Sequence, residues 1–200
     1  MRHSATLRGF SLVELLVVVA LLAMLMTMLV PAVGSMNTAR LLTAAGSSLE
    51  GGLTLARENA LVRRAPVEVR LYSYAVPGST AAYRAMQAFI MNDQGEYSTP
   101  VGKMIPLPTG IIISSNAAYS TLMADASGSA TFTNADPIPR IGTYTARAFR
   151  FLPNGQTTLS NSTPFPFLTL HSERLSNPAS GNFYTIQIDP LNGKLRNYRP

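Results

Sequence analysis

The chain is predicted to be an α+β protein in which one long amino-terminal helix is followed by antiparallel strands. Three observations predict it. Apolar residues recur at helical spacing up to about residue 62; short alternating apolar and polar segments follow Pro66; and turn signals, not further helical patterns, separate those segments. Leu42, Ala45, Leu49, Leu53, Ala56 and Ala60 follow one another at steps of three and four, which places them on one face of a helix. Arg40, Thr43, Ser47, Glu50, Arg57 and Arg64 take the opposite face. The helix is expected to run from about Phe10 to about Val62. Gly46, Gly51 and Gly52 each cost up to about 1 kcal/mol in a helix interior, so a local irregularity is expected there, with room for a close sheet contact.

Arg63-Arg64-Ala65-Pro66 ends the helix, because the residue before a proline disfavours helical backbone. Val67, Val69 and Leu71 alternate with Glu68, Arg70 and Tyr72, the pattern of a strand with one buried face. Further strands are expected at Tyr83–Met91, Ile111–Ser114, Ser129–Thr133, Thr145–Leu152, Phe167–His171, Phe183–Asp189 and Lys194–Tyr198. Asp93-Gln94-Gly95, Pro153-Asn154-Gly155 and Asp189-Pro190-Leu191-Asn192-Gly193 mark turns between them. The last closes a terminal hairpin in which Tyr184, Ile186 and Ile188 face the core.

Composition narrows the chemistry. Two hundred residues, 46% hydrophobic and 13% charged with a mean hydropathy of +0.15, supply one domain with a real core and are too apolar for a disordered chain. The absence of cysteine removes disulfides, thiol nucleophiles and thiolate metal sites, and His3 and His171 alone make no histidine-rich site. Sixteen Lys and Arg stand against ten Asp and Glu. Two of those cations fall within the first nine residues, so the remainder carries an excess of about +4, a weak pointer to an anionic partner.

Leu15 to Val33 is an apolar run interrupted only by Thr27, Pro31 and a few small residues. At about 1.5 Å per residue a helix of that length spans roughly 28 Å, close to the hydrocarbon thickness of a bilayer. Arg2, His3 and Arg8 precede it without a balancing acid, so the positive-inside bias keeps the amino terminus in the cytoplasm and sends the carboxy-terminal domain across. Glu14 stands at the entry of this run. A carboxylate there costs on the order of 3 kcal/mol at the bilayer centre and less near its edge. The helix macrodipole returns about 0.3–1 kcal/mol of that.

Gly9-Phe10-Ser11-Leu12-Val13-Glu14, after a short basic leader and before the apolar run, resembles the class III signal of type IV pilins and type II secretion pseudopilins. The resemblance implies a leader at 1–9, cleavage after Gly9, methylation of the new amino terminus at Phe10, and an assembly helix over 10–33 continued by an amphipathic stretch over 34–64 and a β-rich extracytoplasmic domain over 65–200. Each position also has a physical sense. Gly9 lets a protease approach the backbone without a side chain in the way. A cationic Phe10 amine on a neighbouring subunit can pair with the Glu14 carboxylate inside an apolar bundle. Pro31 removes one helical hydrogen bond, and the family often carries a proline at that depth. The implied subunit assembly residues are thus Phe10, Glu14 and Pro31.

The implied partners are other pilins, a prepilin peptidase and methylase, an inner-membrane assembly platform and membrane lipid. The implied location is a single pass of the cytoplasmic membrane followed by a pilus or pseudopilus. Leu53–Ala60 with Val67-Glu68-Val69, and Phe149–Gly155 with Asn192–Arg196, resemble the corresponding stretches of GspH/FimT pseudopilins. Across nearly the whole chain, Val67–Arg70, Phe149–Phe151, Phe167–Leu170, Phe183–Pro190 and Tyr198-Arg199-Pro200 resemble the pilin-like Verru_Chthon cassette protein D family. An ordinary secretory signal competes for the same segment, with Ala32-Val33-Gly34 as the cleavage site before Ser35, and would leave a secreted or anchored β-rich domain.

Candidates for chemistry are few. No G-x-S-x-G, G-x-x-x-x-G-K-[ST], H-E-x-x-H or EF-hand pattern occurs, and His171 reads as a strand histidine with structural hydrogen bonds. Asp125 and Asp136 lack the dense acidic neighbourhood of a calcium site. No metal, cofactor or enzymatic activity is expected. Lys194, Arg196, Tyr198 and Arg199 crowd the carboxy terminus, where charge and stacking could hold nucleic acid, as the resemblance to FimT-like minor pilins also implies. The alternative is an edge strand guarded by its charges.

Overall fold

The computed structural model describes residues 11–92, 97–124, 130–138 and 142–199, with 27–36, 97, 98, 130–138, 142 and 143 described by backbone alone. Two compact units divide the chain, Met1–Ala39 and Arg40–Pro200. Helix α1 runs over Leu12–Arg63, within a residue or two of its expected limits. Arg64 stops it by adopting φ 52°, a left-handed conformation that closes helices and that a residue with a Cβ adopts only at some cost. The turn therefore falls one residue before the pre-proline position.

Among the described residues nine strands follow: β1 Val67–Tyr74, β2 Ala82–Met91, β3 Tyr97–Pro106, β4 Ile111–Ile113, β5 Ala130–Ile138, β6 Gly142–Phe151, β7 Phe167–Ser172, β8 Phe183–Ile188 and β9 Leu195–Tyr198. They form one sheet in the order β5-β6-β1-β2-β4-β7-β8-β9, with β3 added to β2, and every pair is antiparallel. A short helix α2, Thr121–Ala124, lies between β4 and β5. The expected α+β architecture is the one found, a helix packed on an antiparallel sheet. Strand β3 has no counterpart in the expectation. Its sequence, Tyr-Ser-Thr-Pro-Val-Gly-Lys-Met-Ile-Pro, carries two prolines and a glycine, which break alternation and suit an edge strand.

The expected helical stripe is the core. Leu42, Ala45, Leu49, Leu53, Ala56 and Ala60 are all at most 1% exposed and join Val67, Val69, Leu71, Phe149, Phe151, Leu168, Leu170, Ile186 and Ile188 in one cluster. Each fully buried leucine or isoleucine there contributes about 1.5–3 kcal/mol. No irregularity interrupts α1 at its glycines, contrary to expectation. Gly46 and Gly52 are positions of close approach: a Cβ on Gly46 would lie 2.6 Å from the Tyr184 ring, and one on Gly52 2.3 Å from Met86 Cε. Nothing lies within 4 Å of the corresponding point on Gly51.

Strand β1 also departs from its expected single buried face. Glu68 and Tyr72 are as buried as Val67 and Leu71. On their side of the sheet Tyr72, Ala85, Tyr144 and Ala146 form a second cluster, with the Tyr72 and Tyr144 rings edge to face at 5.2 Å. Burial pushes the Tyr72 hydroxyl up to about 12. Glu68 is held by Arg70 at 2.7 Å and Arg150 at 3.0 Å, and Arg70 stacks over Phe89 at 5.0 Å. A carboxylate between two guanidinium groups can be buried where a lone one cannot.

Candidate functional site

Two regions single themselves out, the start of α1 and the carboxy-terminal strands. Every residue from 11 to 26 is exposed, the large apolar ones by 47–79%. So dense a band of uncovered leucine, valine and methionine requires lipid or other apolar helices around it. Glu14 sits in the first turn of α1, where the Leu15 amide donates to the Ser11 carbonyl at 3.1 Å. Gly9 and Phe10 lie outside the described residues, and Pro31 falls inside α1, where the backbone alone is described. Among the described residues no helix is long and apolar enough to cross a membrane; the expected span over 10–33 extends beyond them at Phe10 and, for side chains, from 27 onward.

At the other end, β8 and β9 pair with Gln187 opposite Arg196 and Thr185 opposite Tyr198. The inward side chains of β8 are the expected Tyr184, Ile186 and Ile188. Of the four residues grouped at the carboxy terminus, Arg196 and Tyr198 share the outward face, and the Tyr198 hydroxyl donates to Gln187 Oε1 at 3.2 Å. Arg199 is exposed just after the strand. Lys194 is exposed just before the strand. Asn197 reaches the helix: its Nδ2 and the Tyr184 hydroxyl both donate to Glu50 Oε2 at 2.9 Å. Burial and that carboxylate raise the Tyr184 pKa.

His171 is buried in β7, with Nδ1 2.9 Å from the Ser172 carbonyl oxygen, and burial lowers its pKa. That is the structural role expected. Asp125 lies outside the described residues, and Asp136 is described by backbone alone. Among the described residues no three His, Cys, Asp or Glu side chains are grouped to hold a metal ion.

One polar cluster had no signal in the sequence. Arg84, 5% exposed on β2, donates through Nη1 to Glu173 Oε2 at 3.0 Å and through Nη2 to Ser79 Oγ at 2.6 Å; Arg84 Nη2 and Ser79 Oγ also both donate to Glu173 Oε1. Glu173 lies 89 positions from Arg84, a separation that no local pattern reveals. Hydrogen bonds from Arg84 and Ser79 hold the Glu173 carboxyl at about 2. A carboxyl depressed in the folded state stabilises fully above its unfolded pKa of 4.5 and loses that contribution as pH falls toward 2. Allowing for partial solvent screening, the contribution is on the order of 1–2 kcal/mol. Urea unfolding between pH 6 and about 2.5 should therefore show a fall in stability that Glu173→Gln flattens by that amount; a parallel profile in the variant would show that the Arg84–Ser79–Glu173 cluster does not stabilise the fold.

Comparison with known proteins bears on the first region. A family model described as the prokaryotic N-terminal methylation motif matches residues 7–30. The chain carries a prokaryotic N-terminal methylation motif. Gly9, Phe10 and Glu14 all fall within the matched residues. Two crystal forms of the Pseudomonas aeruginosa type IV minor pilin FimU align with this chain at 13% identity, with TM-scores of 0.42 and 0.40. They cover 80% of this chain and 92% and 97% of theirs. No curated protein matches.

Proposed function

We propose that this chain is a minor prepilin-like subunit, a structural and interaction protein assembled through its amino-terminal helix into a type IV pilus or a type II secretion-like pseudopilus. The observation that carries this reading is the methylation motif over residues 7–30 leading into a helix whose apolar residues from 12 to 26 are uncovered. In this reading residues 1–9 are a leader removed after Gly9, Phe10 is the methylated amino terminus, and 10–33 is the membrane and assembly helix. Residues 34–64 continue the helix onto the domain at 65–200. The helix anchors the precursor in the inner membrane with its carboxy-terminal domain outside the cytoplasm. A prepilin peptidase and methylase, other pilins and an assembly platform are its partners.

Glu14 gives the reading its physical mechanism. A carboxylate at the entry of an apolar helix gains a partner when the Phe10 amine of an adjacent subunit comes beside it, and that pairing sets the axial register of one helix against the next. A subunit that carries the acid is suited to a position with a neighbour ahead of it. Mass spectrometry of the mature chain tests the processing step. A terminus at Phe10, heavier by one methyl group, is expected; a terminus at Ser35, or a retained leader, would overturn the reading.

A further inference from the structure

The outward-facing side chains of β7, β8 and β9 lie outside the main core cluster, with Thr169 and His171 buried and the others half-buried or exposed. Strand pairing sets them in rows: Phe167, Gln187 and Arg196 in one, Thr169, Thr185 and Tyr198 in the next, then His171 and Phe183. Over the middle of these rows lies a cavity of about 170 Å³ lined by Phe167, Phe183, Tyr119, Thr169, Thr185 and Pro178 among others. Three aromatic rings, all only half-buried, thus surround two hydroxyl groups. Thr169 and Thr185 share one hydrogen bond at 2.8 Å, and since each hydroxyl has a proton and two lone pairs, one proton and several lone pairs stay available. Arg196 is exposed and has no ion-pair or hydrogen-bond partner among the described residues. It lies one strand spacing, about 5 Å, across from Gln187, which is two residues, about 7 Å, along β8 from Thr185.

We propose that this face is a saccharide-binding site for an acidic sugar. The apolar C–H face of a pyranose ring packs against Phe167 and Phe183, as aromatic rings provide large, rigid contact surfaces at low entropic cost. Thr169 and Thr185 exchange hydrogen bonds with ring hydroxyls. The sugar carboxylate pairs with Arg196, whose planar fork matches it in a bidentate arrangement. The cavity is smaller than the roughly 300–1,000 Å³ of clefts that enclose whole drug-sized ligands, so it accepts one ring of a longer chain. Single-stranded nucleic acid needs a flat stacking platform and a track of cations along its phosphates. Here the pocket is walled by Tyr119 and Pro178, and among the described residues no row of cations lines it.

The proposal is independent of the assembly reading. Calorimetric titration of the full chain in detergent with trigalacturonic acid, with neutral maltotriose and with an oligothymidylate tests it. Trigalacturonate is expected to bind at least about tenfold more tightly than maltotriose. Arg196→Gln should abolish that preference and leave the weaker neutral-sugar affinity, and Phe183→Ala should weaken both sugars by about tenfold or more. Arg196 is exposed, so its variant folds whatever Phe183→Ala does. The proposal fails if neither sugar binds, if both variants bind trigalacturonate as the parent does, or if the oligothymidylate binds and trigalacturonate does not displace it.

Discussion

Glu14→Val is expected to leave the chain inserted in the membrane while lowering its incorporation into filaments by about 100-fold. Two opposing effects set that result. Removing a carboxylate from the entry of an apolar helix favours insertion by up to about 3 kcal/mol. In the proposed assembly the neighbouring Phe10 amine, once its partner is gone, is left as an uncompensated charge in a low-dielectric bundle, and breaking such a pair costs about 3–5 kcal/mol, or about two to three and a half powers of ten in an association constant. The two effects appear in different assays: membrane fractionation reads the first, and the subunit content of sheared filaments reads the second. Glu14→Gln keeps the size and hydrogen-bonding capacity but not the charge, and is expected to fail nearly as completely. Unchanged incorporation of either variant would show that the acid does not register one helix against another.

A single methyl group at Gly46 is expected to destabilise the carboxy-terminal unit, and the same methyl at Gly51, five residues on, to stabilise it. In a helix interior Gly→Ala is favourable by about 1 kcal/mol on backbone grounds alone. At Gly51 nothing lies within 4 Å of the added atom, so that gain is realised and the midpoint rises by roughly 2–4 °C. At Gly46 the added Cβ meets Tyr184 Cγ and Cδ1 at 2.6 Å. The Tyr184 ring cannot turn aside cheaply: it is 6% exposed in the core, and its hydroxyl is bonded to Glu50 together with Asn197 of β9. Overpacking of that kind costs about 1–3 kcal/mol, which outweighs the helical gain and loosens β8 and β9 from the helix. Thermal melting of the two variants side by side is decisive, because shifts of the same sign would mean that the close approach of Gly46 to the ring imposes no constraint. Gly52→Ala lies between them, since its nearest atoms are the mobile ends of Met86 and Ile105.

The strands that could be read from sequence are those whose alternation reports burial on one side. In β8 the alternation is strict, so Tyr184, Ile186 and Ile188 were assignable to the core, and Phe183, Thr185 and Gln187 were left as the outward set. In β1 the same alternation was present but misleading, because Glu68 and Tyr72 are polar by type and buried in fact. Their burial depends on Arg150, 82 positions from Glu68, and on Tyr144 in β6. Strand β3 was invisible because Pro100, Gly102 and Pro106 disrupt the pattern by which strands are recognised; its pairing with β2 also shifts register between Met86 and Ala88.

What the sequence determined by itself is local and periodic. The methylation motif, the charge at Glu14, the helix to Arg63 with its buried stripe, and most of the strands follow from residue type and spacing, since a helix or strand buries whatever its period places on one face. What only the tertiary structure decided is which distant residues meet. Strand order set Arg84 against Glu173, closed Tyr184 over Gly46, and separated Arg196 and Tyr198 from Asn197 on opposite sides of a sheet although they are neighbours in the chain. Successive side chains of a strand point to opposite faces, while residues far apart in sequence lie about 5 Å apart across paired strands. A surface is therefore assembled by register, and register is a property of the folded sheet.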